Sequence, residues 1–251
     1  MAPPKKTEQQ VIEIPTTDIG QFQTGVLGLT PYLHNRMAEK ARHELLFPKG
    51  RKNAAEKASH LKHEPVEEFR SSPYLLDTES PTRLGFMASA IKGAMMTAAL
   101  DLPGVNKSQV GRLLWVEGHY LPMWGSAFLH MSVTRSADMG RTPDIRTRAI
   151  TPQWGTIITV SYVKPLVTQN TVVNLLTTGG RSAGVGDWRS EKGKGTFGQF
   201  KLVAMDDPEL KKVMKLSRKV QEQALEDALP YDAESTELLS WFATERKERG
   251  K

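Results

Sequence analysis

Thr156-Ile-Ile-Thr-Val-Ser-Tyr-Val163 is β-branched nearly throughout and apolar on both faces, the pattern of a central strand buried from two sides. The rest of the chain can be arranged around it. Downstream, Thr168 to Thr178 carries Val172, Val173, Leu175 and Leu176 at helical spacing, with Thr168 placed to cap the helix and Gly179-Gly180 to stop it. Phe197 to Val203 then reads as a last strand, with Phe200 and Leu202 on its inner face. Upstream, Phe128 to Arg135 alternates, Leu129, Met131 and Val133 on one side and His130, Ser132 and Thr134 on the other, as a half-buried strand does. Gly140 and Pro143 supply a turn, and Arg146 and Arg148 fall on one side of the returning strand, so this region reads as a projecting basic arm.

Further upstream, Ser89 to Leu100 predicts a helix with Ser89 as N-cap and Ile91, Ala94, Met95 and Ala98 as its buried stripe. Gly93 inside it costs about 1 kcal/mol relative to Ala, which is best accommodated where the helix lies close against another backbone. Arg112 to Val116 is a short strand, and Phe22 to Leu29 another that ends at Pro31. With the excursions removed, the order is strand, helix, strand, strand, helix, strand, the split βαβ arrangement of a ferredoxin-like α+β domain. The expected organisation is a flexible tail over 1–20, a βαββαβ domain over 21–205 with insertions at about 35–70 and 125–152, and a C-terminal helical extension over 206–251. In that extension Pro208 opens a long amphipathic helix, Pro230 breaks it, and a shorter helix follows with Leu238, Leu239, Trp241 and Phe242.

The chain has 251 residues, enough for a substantial core, and contains no cysteine, which excludes disulfides, thiolate metal sites, cysteine nucleophiles and iron–sulfur clusters. Lys and Arg number 34 against 28 Asp and Glu, a formal charge of +6 that makes a polyanion the first partner to consider. The N-terminus is polar with no long apolar run, so a soluble, cytoplasmic protein without membrane contact is expected. His60 and His63 stand three apart without a metal-binding pattern around them, and no metal or other cofactor is expected. Ser89-Ala-Ile-Lys92 has S-x-x-K spacing but none of the partner motifs that would make it catalytic.

The densest signal is Gly179-Gly-Arg-Ser-Ala-Gly-Val-Gly-Asp-Trp-Arg-Ser-Glu-Lys-Gly-Lys-Gly-Thr-Phe-Gly198. Glycines let backbone amides approach phosphate oxygens, and Arg181, Arg189, Lys192 and Lys194 supply charge, so the segment suits a phosphate chain; the alternative is a plain hairpin turn. It is neither a P-loop nor the G-x-G-x-x-G dinucleotide fingerprint. Trp188 could stack a base, whereas Trp115, Trp124 and Trp154 read as core or strand-edge packing.

Phe86-Met-Ala-Ser-Ala-Ile-Lys-Gly-Ala-Met-Met96 resembles the first-helix motif of the RAMP superfamily, the RRM-like backbone subunits of CRISPR effector complexes, and Gly184 to Gly198 is similar to that superfamily's glycine loop. The phrases around Arg141 to Arg148 and Gly186 to Arg189 also look like phage and prophage proteins, which suggests a phage-borne relative. The resemblance spans about Gln21 to Val203 and implies a single-stranded nucleic-acid binder, RNA foremost, that assembles as a filament or ribonucleoprotein backbone, the arm corresponding to the thumb hairpin. The binding residues it implies, together with the charge pattern, are Lys92, Arg135, Arg141, Arg146, Arg148, Arg181, Gly184, Gly186, Trp188, Arg189, Lys192, Lys194 and Gly195. Members that cut RNA carry an aspartate ahead of the first helix beside a Ser-Pro step; here Ser72-Pro73 follows Arg70-Ser71, which favours a binder over a nuclease. The alternatives are a metal-independent endoribonuclease using His34, His43, Tyr32 or Lys92, a single-stranded DNA binder, and a decoy or scaffold that docks on a protein through Trp241 and Phe242.

Overall fold

A computed structural model describes residues 16–37, 39–47, 63–135, 143–192 and 195–249. In chain order the elements begin with β1 (Asp18–Gly28), β2 (Tyr32–Leu33), α1 (Glu39–Leu46), α2 (Pro65–Ser71), β3 (Tyr74–Leu75), β4 (Leu84–Met87), α3 (Ala88–Ala98), α4 (Lys107–Leu113) and β5 (Leu114–Val116). They continue with β6 (Tyr120–Pro122), β7 (Phe128–Arg135), β8 (Pro143–Thr151), β9 (Gly155–Lys164), α5 (Gln169–Ser182), β10 (Phe200–Val203), α6 (Pro208–Met214), α7 (Arg218–Asp227) and α8 (Ala233–Glu248). The chain is an α+β fold built on antiparallel sheets. Among the described residues no helix is long and apolar enough to cross a membrane.

The expected central strand is central. β9 pairs with β1 from Asp18↔Lys164 to Leu27↔Gly155 and with β5 on its other edge, giving a four-stranded sheet in the order β10-β1-β9-β5 with every neighbour antiparallel. Ile158, Val160 and Tyr162 alternate onto the face covered by α3 and α5, where Ile91, Met95, Val172, Leu175 and Leu176 complete the core. Each such aliphatic side chain contributes about 1.5–3 kcal/mol by leaving water. The opposite face is partly covered by α6, whose Leu210 sits over Gly25 and Gly155.

Two glycine expectations change places. Gly179-Gly180 does not stop α5, which runs on to Ser182, because here glycine provides closeness. A Cβ at Gly179 would lie 2.6 Å from the Ala94 carbonyl oxygen of α3, and one at Gly180 2.5 Å from that of Phe200 in β10. Gly93, expected to permit that approach, faces open space, with no atom within 4 Å of a Cβ built on it. Ser89 does not cap α3 either; the cap position is Met87, without a side-chain bond. Thr168 does cap α5, its hydroxyl accepting from the Thr171 amide at 3.2 Å.

Other boundaries move for local reasons. Asn106 caps α4 by accepting from the Ser108 amide at 2.8 Å, so Arg112 and Leu113 are helical and the strand begins at Leu114. The tail ends earlier than expected, since Asp18, Ile19 and Gly20 already pair with β9; residues 1–15 lie outside the described residues. The long C-terminal helix is two helices, broken between Met214 and Arg218. These helices are joined to the core by Gln221, which is fully buried. Its Oε1 accepts from the Arg83 and Leu84 amides at 2.7 and 2.9 Å, and its Nε2 donates to the Met123, Gly125 and Leu216 carbonyls at 2.7, 2.9 and 3.2 Å.

The basic arm is the β7–β8 hairpin, paired from Phe128↔Ile150 to Arg135↔Pro143 and extended by β2 into a three-stranded sheet, β2-β8-β7. A third small sheet, β3-β4-β6, brings Tyr74 and Tyr120 beside the start of α3.

Candidate functional site

The glycine-rich loop is a knitted structure. Residues 183–186 are buried, and the amides of Gly184, Val185, Asp187, Phe197 and Gly198 donate to the carbonyls of Gly179, Gly198, Leu33, Trp188 and Pro31 at 2.8–3.1 Å. These amides are therefore spent on the fold and do not form an open cradle. Gly184, Gly186 and Gly198 hold φ values of +70°, +85° and +72°, where a side chain would be strained. Gly195 is required for a different reason, since its Cβ would fall 1.7 Å from the Trp188 carbonyl oxygen. Trp188 itself adopts φ +48° and is 46% exposed.

Through Leu33 and Pro31 the loop leans on β2, and through β2 on the arm. The tie is completed by side chains: Arg148 of β8 donates from Nη1 to the Asp187 carboxylate of the loop. Burial first and Arg146 second work against the Arg148 charge, pushing its pKa down to about 10, still well above physiological pH. Arg146 stands exposed two residues earlier, and Arg135 and Arg181 are exposed at the hairpin's far end and in the last turn of α5.

On its other side the loop meets α3. Arg189 donates to Glu191 Oε2 at 2.7 Å and to the Gly186 carbonyl at 3.0 Å, while Glu191 Oε1 accepts from the Thr97 hydroxyl at 2.9 Å. Between them opens a cleft of about 220 Å³. Ser89, Ala90 and Gly93 form one wall, Gly184 to Gly186 with Arg189 and Glu191 the other, and Tyr32 and Tyr74 close it.

The structure thus brings Arg148, Gly184, Gly186 and Arg189 together, with Arg146, Trp188 and Gly195 adjoining. Lys92, half-buried on α3, does not line the cleft, whose wall on that helix is formed by Ser89, Ala90, Gly93 and Ala94. Arg141 and Lys194 lie outside the described residues, as does the side chain of Lys192. Asp187, Glu191, Asn35 and Tyr74 were not singled out by sequence reasoning. Tyr74 and Asn35 sit far from both motifs in the chain and carry no local signal; Asp187 and Glu191 were legible as the acidic members of the loop.

The residues weighed as acids or bases separate. His34 is 1% exposed, its Nε2 is 2.9 Å from the Thr151 hydroxyl, and burial pushes its pKa down to about 3, so it stays neutral and structural. His43 is on exposed α1, its ring 5.0 Å from that of Phe47. Among the described residues no cluster of three His, Asp or Glu is placed to hold a metal ion. Trp241 is 60% exposed on α8, while Leu238 and Leu239 beside it pack on the core. Neither any protein-family model nor any curated protein matches this chain.

Proposed function

We propose that this protein binds single-stranded nucleic acid, RNA foremost, along the edge where the arginine hairpin meets the glycine loop, and that it does so as a repeating subunit of a ribonucleoprotein. The observation that carries the reading is the Arg148–Asp187 pair, which joins two basic features 39 residues apart in sequence into one surface. Exposed Arg146, Arg135 and Arg181 provide phosphate contacts that position a strand without reading its sequence, and half-exposed Trp188 offers a stacking face. A ferredoxin-like reading of the core is supported by the sheet order. Taking β1, α3, β5, β9, α5 and β10 as strand, helix, strand, strand, helix, strand, the fourth strand lies beside the first, then the third, then the second. The arm is inserted between the second and third of these strands and the loop between the second helix and the last strand, the two positions at which the RAMP superfamily carries its thumb and glycine loop.

The test is fluorescence anisotropy with labelled single-stranded RNA and DNA over a salt series. Affinity should fall with salt at a slope of about −0.7 per phosphate neutralised. Arg146→Ala should reduce that slope by about one contact and weaken all sequences alike. Absence of binding at low salt, or a slope indifferent to Arg146, refutes the assignment. Light scattering with and without RNA checks assembly, growth of the particle with strand length being the expected result.

A further inference from the structure

The cleft between α3 and the glycine loop has a chemistry distinct from the arginine edge. Its charged lining groups, Arg189 and Glu191, are 2.7 Å apart and cancel each other. A phosphate placed there would gain an already engaged guanidinium and face a carboxylate, so the cleft suits a neutral ligand. Its polar groups are both donors and acceptors: the Asn35 amide, the Ser89 hydroxyl and the Tyr32 hydroxyl. Its apolar surface is aromatic, formed by Tyr74, whose ring rests 5.4 Å from Tyr120, and by the edge of Tyr32.

Tyr32 is the informative member. The residue is 2% exposed, with its ring packed 5.6 Å from Phe86 and 5.5 Å from Trp154 and its tip against Gly186. A ring so held has one position for its hydroxyl, and that hydroxyl, at the cleft, has no hydrogen-bond partner among the described residues. The oxygen is not among the fully buried unpartnered atoms, so it opens onto the cleft, where a ligand can take its hydrogen bond in place of solvent. Burial, with Tyr74 adding to it and Arg189 opposing, raises its pKa, so it is a proton donor at all ordinary pH.

We infer that the cleft receives one unstacked nucleobase, lying against Tyr74, with its polar edge bonded by Tyr32, Asn35 and Ser89, while the sugar–phosphate chain stays outside on the arginine edge. The inference rests on the nucleic-acid reading and extends it from a backbone grip to a pocket for a base. The volume fits: about 220 Å³ is below the roughly 300–1,000 Å³ of sites that take whole drug-sized ligands, which leaves room for one ring system and excludes a nucleotide with its phosphates. An aromatic side chain of a protein partner would match the shape but leave the donors and acceptors unmet.

The experiment compares a short labelled RNA with the same strand made abasic throughout, using the full chain as wild type, Tyr32→Phe and Gly93→Phe. Gly93→Phe plugs the cleft at a position where an added Cβ touches nothing, and Tyr32→Phe removes one oxygen, so both variants should fold. Wild type should bind the intact strand about tenfold more tightly than the abasic one, and both variants should lose most of that difference while holding the abasic strand as wild type does. Equal binding of the two strands by wild type overturns the inference and leaves the backbone-binding reading standing. So does a base preference that both variants retain, which would put the base elsewhere, for example on Trp188. Binding of neither strand overturns the nucleic-acid reading itself and the pocket with it.

Discussion

Acidification should unfasten the loop through one buried imidazole. His34 follows β2, its amide donating to the Ala149 carbonyl at 3.0 Å and its ring engaging Thr151, so it fixes the segment whose Leu33 carbonyl holds the Asp187 amide. Its Nδ1 is buried without a partner, and burial pushes its pKa from 6.5 down to about 3. Because the folded value is the depressed one, the unfolded chain takes the proton first. The contribution to stability is therefore complete above 6.5 and is lost as pH falls toward 3. Integrating that linkage from about pH 7 to about pH 5 gives a loss of roughly 2 kcal/mol from this residue. The assay is urea denaturation across that interval for wild type and His34→Gln, which retains a hydrogen-bonding side chain but does not titrate. The difference between the two proteins isolates His34 from other ionisable groups. Parallel pH dependences for the two would refute the reasoning.

Two further perturbations follow from the packing. Gln221→Ala strips partners from two amides and three carbonyls at once, and should cost about 3–5 kcal/mol in a denaturant titration; a cost under about 1 kcal/mol would mean that the C-terminal helices are not fastened to the core through this side chain. The same substitution at two glycines of the packed helix pair should have opposite signs. Gly93→Ala, in open space, should stabilise by about 1 kcal/mol, whereas Gly179→Ala, facing the Ala94 carbonyl at 2.6 Å, should destabilise by about 1–3 kcal/mol. Melting curves of the two variants check this, and equal shifts would contradict the contact geometry.

The contrast between those glycines marks where sequence reading succeeds and where it stops. Val172, Leu175 and Leu176, and likewise Ile91, Ala94, Met95 and Ala98, announce a buried stripe because period and polarity are local properties, and all of them are in the core. The strand expected over 128–135 has the observed bounds, with Leu129 and Met131 buried as its alternation says, but the alternation fails at its far end, where Val133 is exposed and Thr134 buried. Glycine has no such local reading. Gly93 and Gly179 sit in similar helical contexts, and only the crossing partner determines that one is indispensable for approach and the other replaceable. The missed helix α4 has the same origin: its capping Asn106 was legible, but seven residues with Val110 as their buried member make too short a stripe to compete with an apolar run beginning at Leu113.

The loop shows the limit most sharply. Its glycines and cations were readable as a composition, and that composition fits two physical uses, an open set of amides for phosphate or a tight turn that must cross its own backbone. The choice depends on what stands opposite the amides, and in the fold those of Gly184, Val185, Asp187, Phe197 and Gly198 meet the carbonyls of Gly179, Gly198, Leu33, Trp188 and Pro31, some of them far away in the chain. With those amides spent, the proposed attraction for a polyanion must come from side chains, and these divide. Arg148 and Arg189 are neutralised by Asp187 and Glu191, whereas Arg146 remains exposed. The surface that results has exposed cations on the hairpin and, beside the loop, an aromatic cleft whose two charged groups pair with each other, the separation of roles that the proposed binding of a single strand calls for, phosphates held by charge and a base by shape and hydrogen bonds.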